Sequence, residues 1–71
     1  MTRPYRLRGR VAEILRGPSL DSEAHTITRA WWRGNWPSRV EIAGTIYRVL
    51  GGVMTREVYR ERWVLRVVVL P

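Results

Sequence analysis

Residues 38–50 alternate between apolar and charged side chains on either side of the dipeptide Ala43-Gly44. Val40 and Ile42 share one face of the first half, and charged residues share the other. Such alternation is typical of a half-buried β-strand, and a glycine-containing dipeptide between two alternating segments is typical of a tight hairpin. The pattern predicts two antiparallel strands joined at Ala43-Gly44, and therefore a chain built around a sheet.

The sequence pattern predicts the secondary structure of the first third of the chain less clearly. Residues 5–15 begin with strand-like alternation and end with helical spacing, so we expect a strand bent at Gly9, with a helical turn over residues 10–16 as the alternative. Residues 20–24 resemble a polar connection. Residues 25–33 are rich in β-branched and aromatic side chains, which predicts a second strand.

The last third contains two further predicted strands. Residues 34–37 form a turn, and Gly51-Gly52 interrupts the pattern before a strand over residues 53–61. Residues 63–70 form a final strand that is apolar on both faces, since Val64, Val68 and Leu70 lie opposite the main apolar row. A strand of this kind is usually central in its sheet or covered by a partner.

These segments predict an all-β or mainly β fold, either a curled antiparallel meander or a small partial barrel of about five strands. With 71 residues the chain makes one small basic domain, residues 1–71. There is no cysteine, so neither a disulfide nor a thiolate metal site can support the core. The longest apolar run, residues 67–70, is far too short to span a bilayer, and we expect a soluble, cytoplasmic protein without membrane contact.

Catalysis is poorly supported. The chain has one histidine, His25, and its serines have no neighbouring histidine and acid in sequence. A metal site needs three or four suitable ligands, which the scattered acids do not supply. We therefore expect no enzyme activity, no cofactor and no metal.

The charge points to a polyanionic partner. The net charge is +7 and all 13 basic residues are arginines, concentrated toward the two ends of the chain. Arginine can hold phosphate through two parallel hydrogen bonds, and aromatic rings can stack on unpaired bases. The residues predicted to bind nucleic acid are Arg6, Arg8, Arg10, Arg29, Trp31, Trp32, Arg33, Arg56, Arg60, Arg62 and Arg66. The alternative is that the terminal arginines are solvated or pair with Glu13, Glu57 and Glu61.

Strand alternation places Trp31 and Trp32 on opposite faces. One of the two is expected in the core, and the other outside it or in an interface. The pattern does not tell which is which.

Short motifs from residue 26 onward resemble a known family. They are Gly34-Asn35-Trp36-Pro37, Val40 with Ile42, Gly44, Tyr47-Arg48-Val49, Thr55-Arg56-Glu57-Val58-Tyr59 and Trp63-Val64-Leu65. The chain resembles a small bacterial domain family of unknown function that is fused to, or encoded beside, Y-family (ImuB-type) translesion polymerase-like proteins. It departs from that pattern between Gly51 and Thr55, where the family has a longer tryptophan-containing segment. The resemblance implies a setting in DNA-damage tolerance and no catalytic residues.

Two functions follow as hypotheses. The first is a nucleic-acid-binding accessory module, with DNA or RNA and single or double strand left open. The second is a protein-interaction or homo-oligomerisation module, because the two-faced last strand suggests a homodimer or a docked protein partner.

Overall fold

The computed structural model describes residues 7–70. They form six strands in one sheet: β1 Val11–Arg16, β2 Ser22–Thr26, β3 Arg29–Arg33, β4 Trp36–Ile42, β5 Thr45–Arg56 and β6 Glu61–Val69. The strand order is β2-β1-β6-β5-β4-β3. The predicted all-β, curled meander is confirmed, and the sheet is not closed into a barrel. Within residues 7–70 there is no helix that could cross a membrane.

The last strand lies at the centre of this sheet. β6 pairs with β5 antiparallel and with β1 parallel, so Glu13 lies opposite Val64. The sheet is therefore mixed, with six strands, whereas the sequence predicted about five strands, all antiparallel. A strand with apolar side chains on both faces is usually central in its sheet, and β6 is central, with β5 on one side and β1 on the other.

One face of the sheet carries the core. Along β6, Trp63, Leu65 and Val67 are buried, while Val64 and Val68 on the opposite face are half-buried. The other buried apolar residues are Leu7, Ala12, Ile14, Ile27, Val40, Ile42 and Tyr47. The face opposite this core is called the outer face below.

The hairpin at Ala43-Gly44 is confirmed, with Ile42 opposite Thr45. Ala43 and Gly44 both have positive φ, 50° and 84°, which is the conformation that matches the twist of a two-residue hairpin.

Several boundaries differ from the predictions. The start of the predicted strand over residues 5–15 lies partly outside the described residues, and β1 begins only at Val11 because residues 7–9 form a turn. The helical alternative over residues 10–16 is wrong. Part of the predicted connection over residues 20–24 belongs to β2, since Ser22 pairs with Leu15.

The predicted strand over residues 25–33 is split at Ile27 and Thr28. β2 and β3 lie at opposite edges of the sheet, so the chain must leave one edge and join the other within two residues. Ile27 is fully buried there, and its N–H donates to the Arg10 carbonyl at 2.8 Å. This short link shows that the sheet curls until its two edges approach each other.

Gly51-Gly52 does not end a strand as predicted. β5 continues to Arg56 through an irregularity between Val49 and Gly51. The predicted strand over residues 53–61 instead turns after Arg56, where the Glu57 N–H donates to the Arg60 carbonyl at 2.7 Å.

Candidate functional site

A pocket opens where β4 parts from β5. Their pairing ends at Arg39 opposite Arg48, because β4 has an extra residue, Ser38, against β3, and β5 continues beside β6 alone. The Ser38 hydroxyl donates to the Trp31 carbonyl at 3.2 Å and so holds this irregularity. The pocket has a volume of about 460 Å³ and is lined by Arg33, Trp36, Pro37, Ser38, Arg39, Arg48 and Val49.

Three of these residues are arginines and none is acidic, and we call this cavity the arginine pocket. Arg33, Arg39 and Arg48 are all exposed. Within residues 7–70 none of the three forms an ion pair. Like charges directly opposite each other in a sheet are destabilising, so the Arg39–Arg48 pair favours binding of an anion between the two strands.

Trp31 lies beside this pair on the outer face. It pairs with Arg39 across β3 and β4, and the Arg39 guanidinium lies 5.2 Å from its ring centroid. The Arg29 guanidinium lies 5.7 Å from the same ring and 4.0 Å from the Glu41 carboxylate. A cation over an indole face is attracted by about 0.5–1 kcal/mol at an exposed site. The half-buried Trp31 thus orients the guanidinium groups at the edge of the arginine pocket.

Trp32 is the core member of the pair. It packs on the core, and its ring meets the buried Trp63 edge to face at a centroid distance of 6.0 Å. Trp36 approaches Trp63 from the arginine pocket, with centroids 5.3 Å apart. Trp31 therefore lies on the outer face with two guanidinium groups near its ring, and Trp32 has a packing role.

A second pocket lies at the β5–β6 turn. Its volume is about 560 Å³, and its lining consists of Arg8, Arg10, Arg56, Glu57, Tyr59, Arg60, Glu61 and Trp63. We call it the hairpin pocket. It brings together four of the predicted arginines, but two of them have local carboxylate partners: Arg56 lies 3.3 Å from Glu61, and Arg60 lies 3.1 Å from Glu57.

Two further predicted arginines, Arg62 and Arg66, have other partners. Arg62 forms a bidentate ion pair with the Glu13 carboxylate on β1. Arg66 donates to the carbonyls of Gly17 and Ser19 and so ties β6 to the turn after β1. Arg6 lies outside the described residues. The sequence alternative, pairing with Glu13, Glu57 and Glu61, matches the partners seen for Arg56, Arg60 and Arg62.

The Glu13–Arg62 pair also sets the local electrostatics. Hydrogen bonding from the Arg62 guanidinium holds the pKa of the Glu13 carboxyl below its ordinary value, and the Ser22 hydroxyl at 3.4 Å adds to this. The same hydrogen bond raises the pKa of Arg62. Both groups are therefore charged at neutral pH, and Arg62 has a carboxylate partner already in place.

Arg39 and Arg48 were not among the residues predicted from sequence. The signal was available, because counting outward from the Ala43-Gly44 turn puts residue 39 opposite residue 48. The site prediction followed the basic ends of the chain and the arginine–aromatic interleaving of residues 29–36, and it did not use the register of the hairpin.

Comparison with known protein families, with curated proteins and with solved structures finds no match for this chain. The resemblance to the family beside translesion polymerase-like proteins thus stays a prediction. Among residues 7–70, no three histidine, aspartate or glutamate side chains are grouped so that they could hold a metal ion.

Proposed function

We propose that this chain is a non-catalytic, nucleic-acid-binding accessory module that contacts the phosphate backbone through the arginine pocket. The observation that carries the proposal is that Arg39 lies directly opposite Arg48 in a pocket that no acidic residue lines. Trp31 lies beside this pair, with the Arg29 and Arg39 guanidinium groups near its ring. The resemblance given above suggests a setting in DNA-damage tolerance, and the absence of cysteine fits a cytoplasmic location.

Phosphate is the anion that fits this arrangement best. A guanidinium presents a planar fork of donors that matches phosphate oxygens. The Cα atoms of two arginines directly opposite each other on neighbouring strands lie about 5 Å apart, so both guanidinium groups can reach one phosphate. The net charge of +7 adds long-range attraction toward a polyanion. Release of condensed counterions then supplies most of the non-specific affinity.

The proposal is tested by anisotropy titrations of labelled single-stranded and duplex oligonucleotides at several salt concentrations. The variant Arg39→Ala/Arg48→Ala should bind at least about tenfold more weakly at low salt. If both arginines contact phosphate of a single strand, the slope of log affinity against log salt should fall by about 1.4. Both side chains are exposed, so circular dichroism should show an unchanged fold.

The control is Arg16→Ala/Arg62→Ala, which removes the same two charges and lines neither the arginine pocket nor the hairpin pocket. It should lower affinity far less. Absence of binding to both oligonucleotides at low salt would end the proposal. Equal losses of affinity in the two double variants would show that the net charge, and not the arginine pocket, accounts for binding.

We propose self-association as the second candidate function, because the outer face also carries an apolar patch. Leu15, Leu50, Val53 and Val64 line a groove of about 330 Å³ on β1, β5 and β6, and we call them the outer apolar patch. Leu50 and Val53 are 50 % and 60 % exposed. Val64 is the only residue of the predicted set Val64, Val68 and Leu70 that lines this groove.

A second copy of the chain would cover this patch in a dimer. Sedimentation at high micromolar concentration should then give a mass near twice 8.4 kDa. Val53→Asp should return the protein to 8.4 kDa, since the charge would be buried without a partner in the dimer and remains solvated in the monomer. A monomer at that concentration without any substitution would rule out the dimer.

A further inference from the structure

The arginine pocket and the hairpin pocket are linked by a contact between two tryptophans. Trp36 lines the first and Trp63 lines the second. Their ring centroids lie 5.3 Å apart with the planes tilted by 43°. A path that joins the two cavities therefore passes this ring contact, at which Trp36 is half-buried and Trp63 is 3 % exposed.

Both ends of this path are cationic. The arginine pocket has three arginines and no acid. The hairpin pocket has four arginines and two glutamates, and these glutamates pair with Arg56 and Arg60. Arg8 and Arg10 form no ion pair within residues 7–70, so the excess charge of the hairpin pocket lies on them.

The hairpin pocket also offers an aromatic face. Tyr59 at the β5–β6 turn is 97 % exposed and lines the pocket beside the unpaired arginines. Exposed aromatic rings next to cationic groups are the combination on which unpaired bases stack while their phosphates are held.

We infer that one single strand of nucleic acid occupies both pockets, passing the half-buried Trp36 between them. Arg39 and Arg48 hold phosphates at one end, Arg8 and Arg10 hold phosphates at the other, and a base stacks on Tyr59. This inference rests on the proposed function and names its ligand as single-stranded.

A duplex fits this path poorly. Its base faces are covered by neighbouring bases, so it offers nothing to stack on Tyr59 and no nucleotide-sized group to enter a cavity of about 460 or 560 Å³. The longest dimension of the described residues is 33 Å, which limits the path to about 4–8 nucleotides, within the range of other small β domains.

The test compares single strands of increasing length with a duplex of the same sequence. Affinity for single strands should rise with length up to about 8 nucleotides and then level, and should exceed affinity for the duplex at least about tenfold. Arg8→Ala/Arg10→Ala should weaken binding of the long strand about tenfold and have a smaller effect on a strand of about 3 nucleotides, because that strand is too short to contact both pockets at once. Tyr59→Ala should weaken single-strand binding and leave duplex binding unchanged.

The outcomes separate the inference from the proposed function. If Arg39→Ala/Arg48→Ala weakens binding but Arg8→Ala/Arg10→Ala does not, the path is overturned and the arginine pocket stands. Duplex binding as tight as single-strand binding also overturns the inference alone. No binding of any oligonucleotide overturns both. Arg8, Arg10 and Tyr59 are exposed, so loss of the fold would not account for weaker binding.

Discussion

At the scale of single residues, Gly52 is a position on β5 at which the β6 backbone leaves no room for a side chain. A Cβ at this position would lie 2.2 Å from the Val64 carbonyl oxygen and 3.1 Å from the Leu65 Cα. Both are backbone atoms of the central strand, so neither can move aside without disturbing the pairing of β6. Gly51, its neighbour, has nothing within 4 Å of the same position.

We therefore expect Gly52→Ala to lower the free energy of unfolding by about 2 kcal/mol or more, through overpacking against the β6 backbone. Gly51→Ala, the matched control, should change it by less than about 0.5 kcal/mol. Urea denaturation followed by tryptophan fluorescence measures both. Equal effects of the two substitutions would contradict the close approach.

The Glu13–Arg62 pair predicts a dependence of stability on pH. The pKa of Glu13 is lowered in the folded protein, so its ionised form favours folding above the ordinary value of 4.5, and this contribution is lost as pH falls through the folded pKa. Glu13→Gln should be less stable than the original protein at about pH 6, and the difference should shrink as the pH falls below 4.5.

Urea midpoints across this pH range give the measurement. Arg62→Gln serves as the reciprocal control, because removing either partner should abolish the same pH-dependent part of stability. A difference between the original protein and Glu13→Gln that is constant with pH would show that the ion pair does not contribute.

At the scale of elements, the local pattern was sufficient for the central hairpin. Alternation on both sides of Ala43-Gly44 predicted both strands and their register, and that register contains the Arg39–Arg48 pair. The split at Ile27 could not be predicted, because it depends on which sheet edges β2 and β3 join.

The local sequence pattern likewise could not predict which of the two adjacent tryptophans faces the core. Alternation places Trp31 and Trp32 on opposite faces, but only the position of Trp63 in the folded sheet makes the Trp32 face the core. The ion pair between residues 13 and 62 spans 49 positions and arises from the parallel pairing of β1 with β6. Such long-range pairing decides which arginines keep a free guanidinium.

At the scale of the whole molecule, charge density along the chain and charge available to a partner are different quantities. The β5–β6 turn is rich in arginine, yet Glu57 and Glu61 neutralise much of it. Residues 21–44 are neutral in sequence, yet folding brings Arg33 and Arg39 of this segment together with Arg48, and no acidic residue lines their pocket. The arginine pocket is therefore the place at which we propose that nucleic acid binds.

Mapping the contact surface on the intact, unsubstituted protein tests this claim most directly. An NMR titration of isotopically labelled protein with a single strand of about 8 nucleotides would follow backbone amides and arginine Nε groups. We predict saturable shifts that are largest at Ser38, Arg39 and Arg48 and at the Trp31 indole. Shifts confined to the outer apolar patch, or no saturable shift at Arg39 and Arg48, would contradict the account.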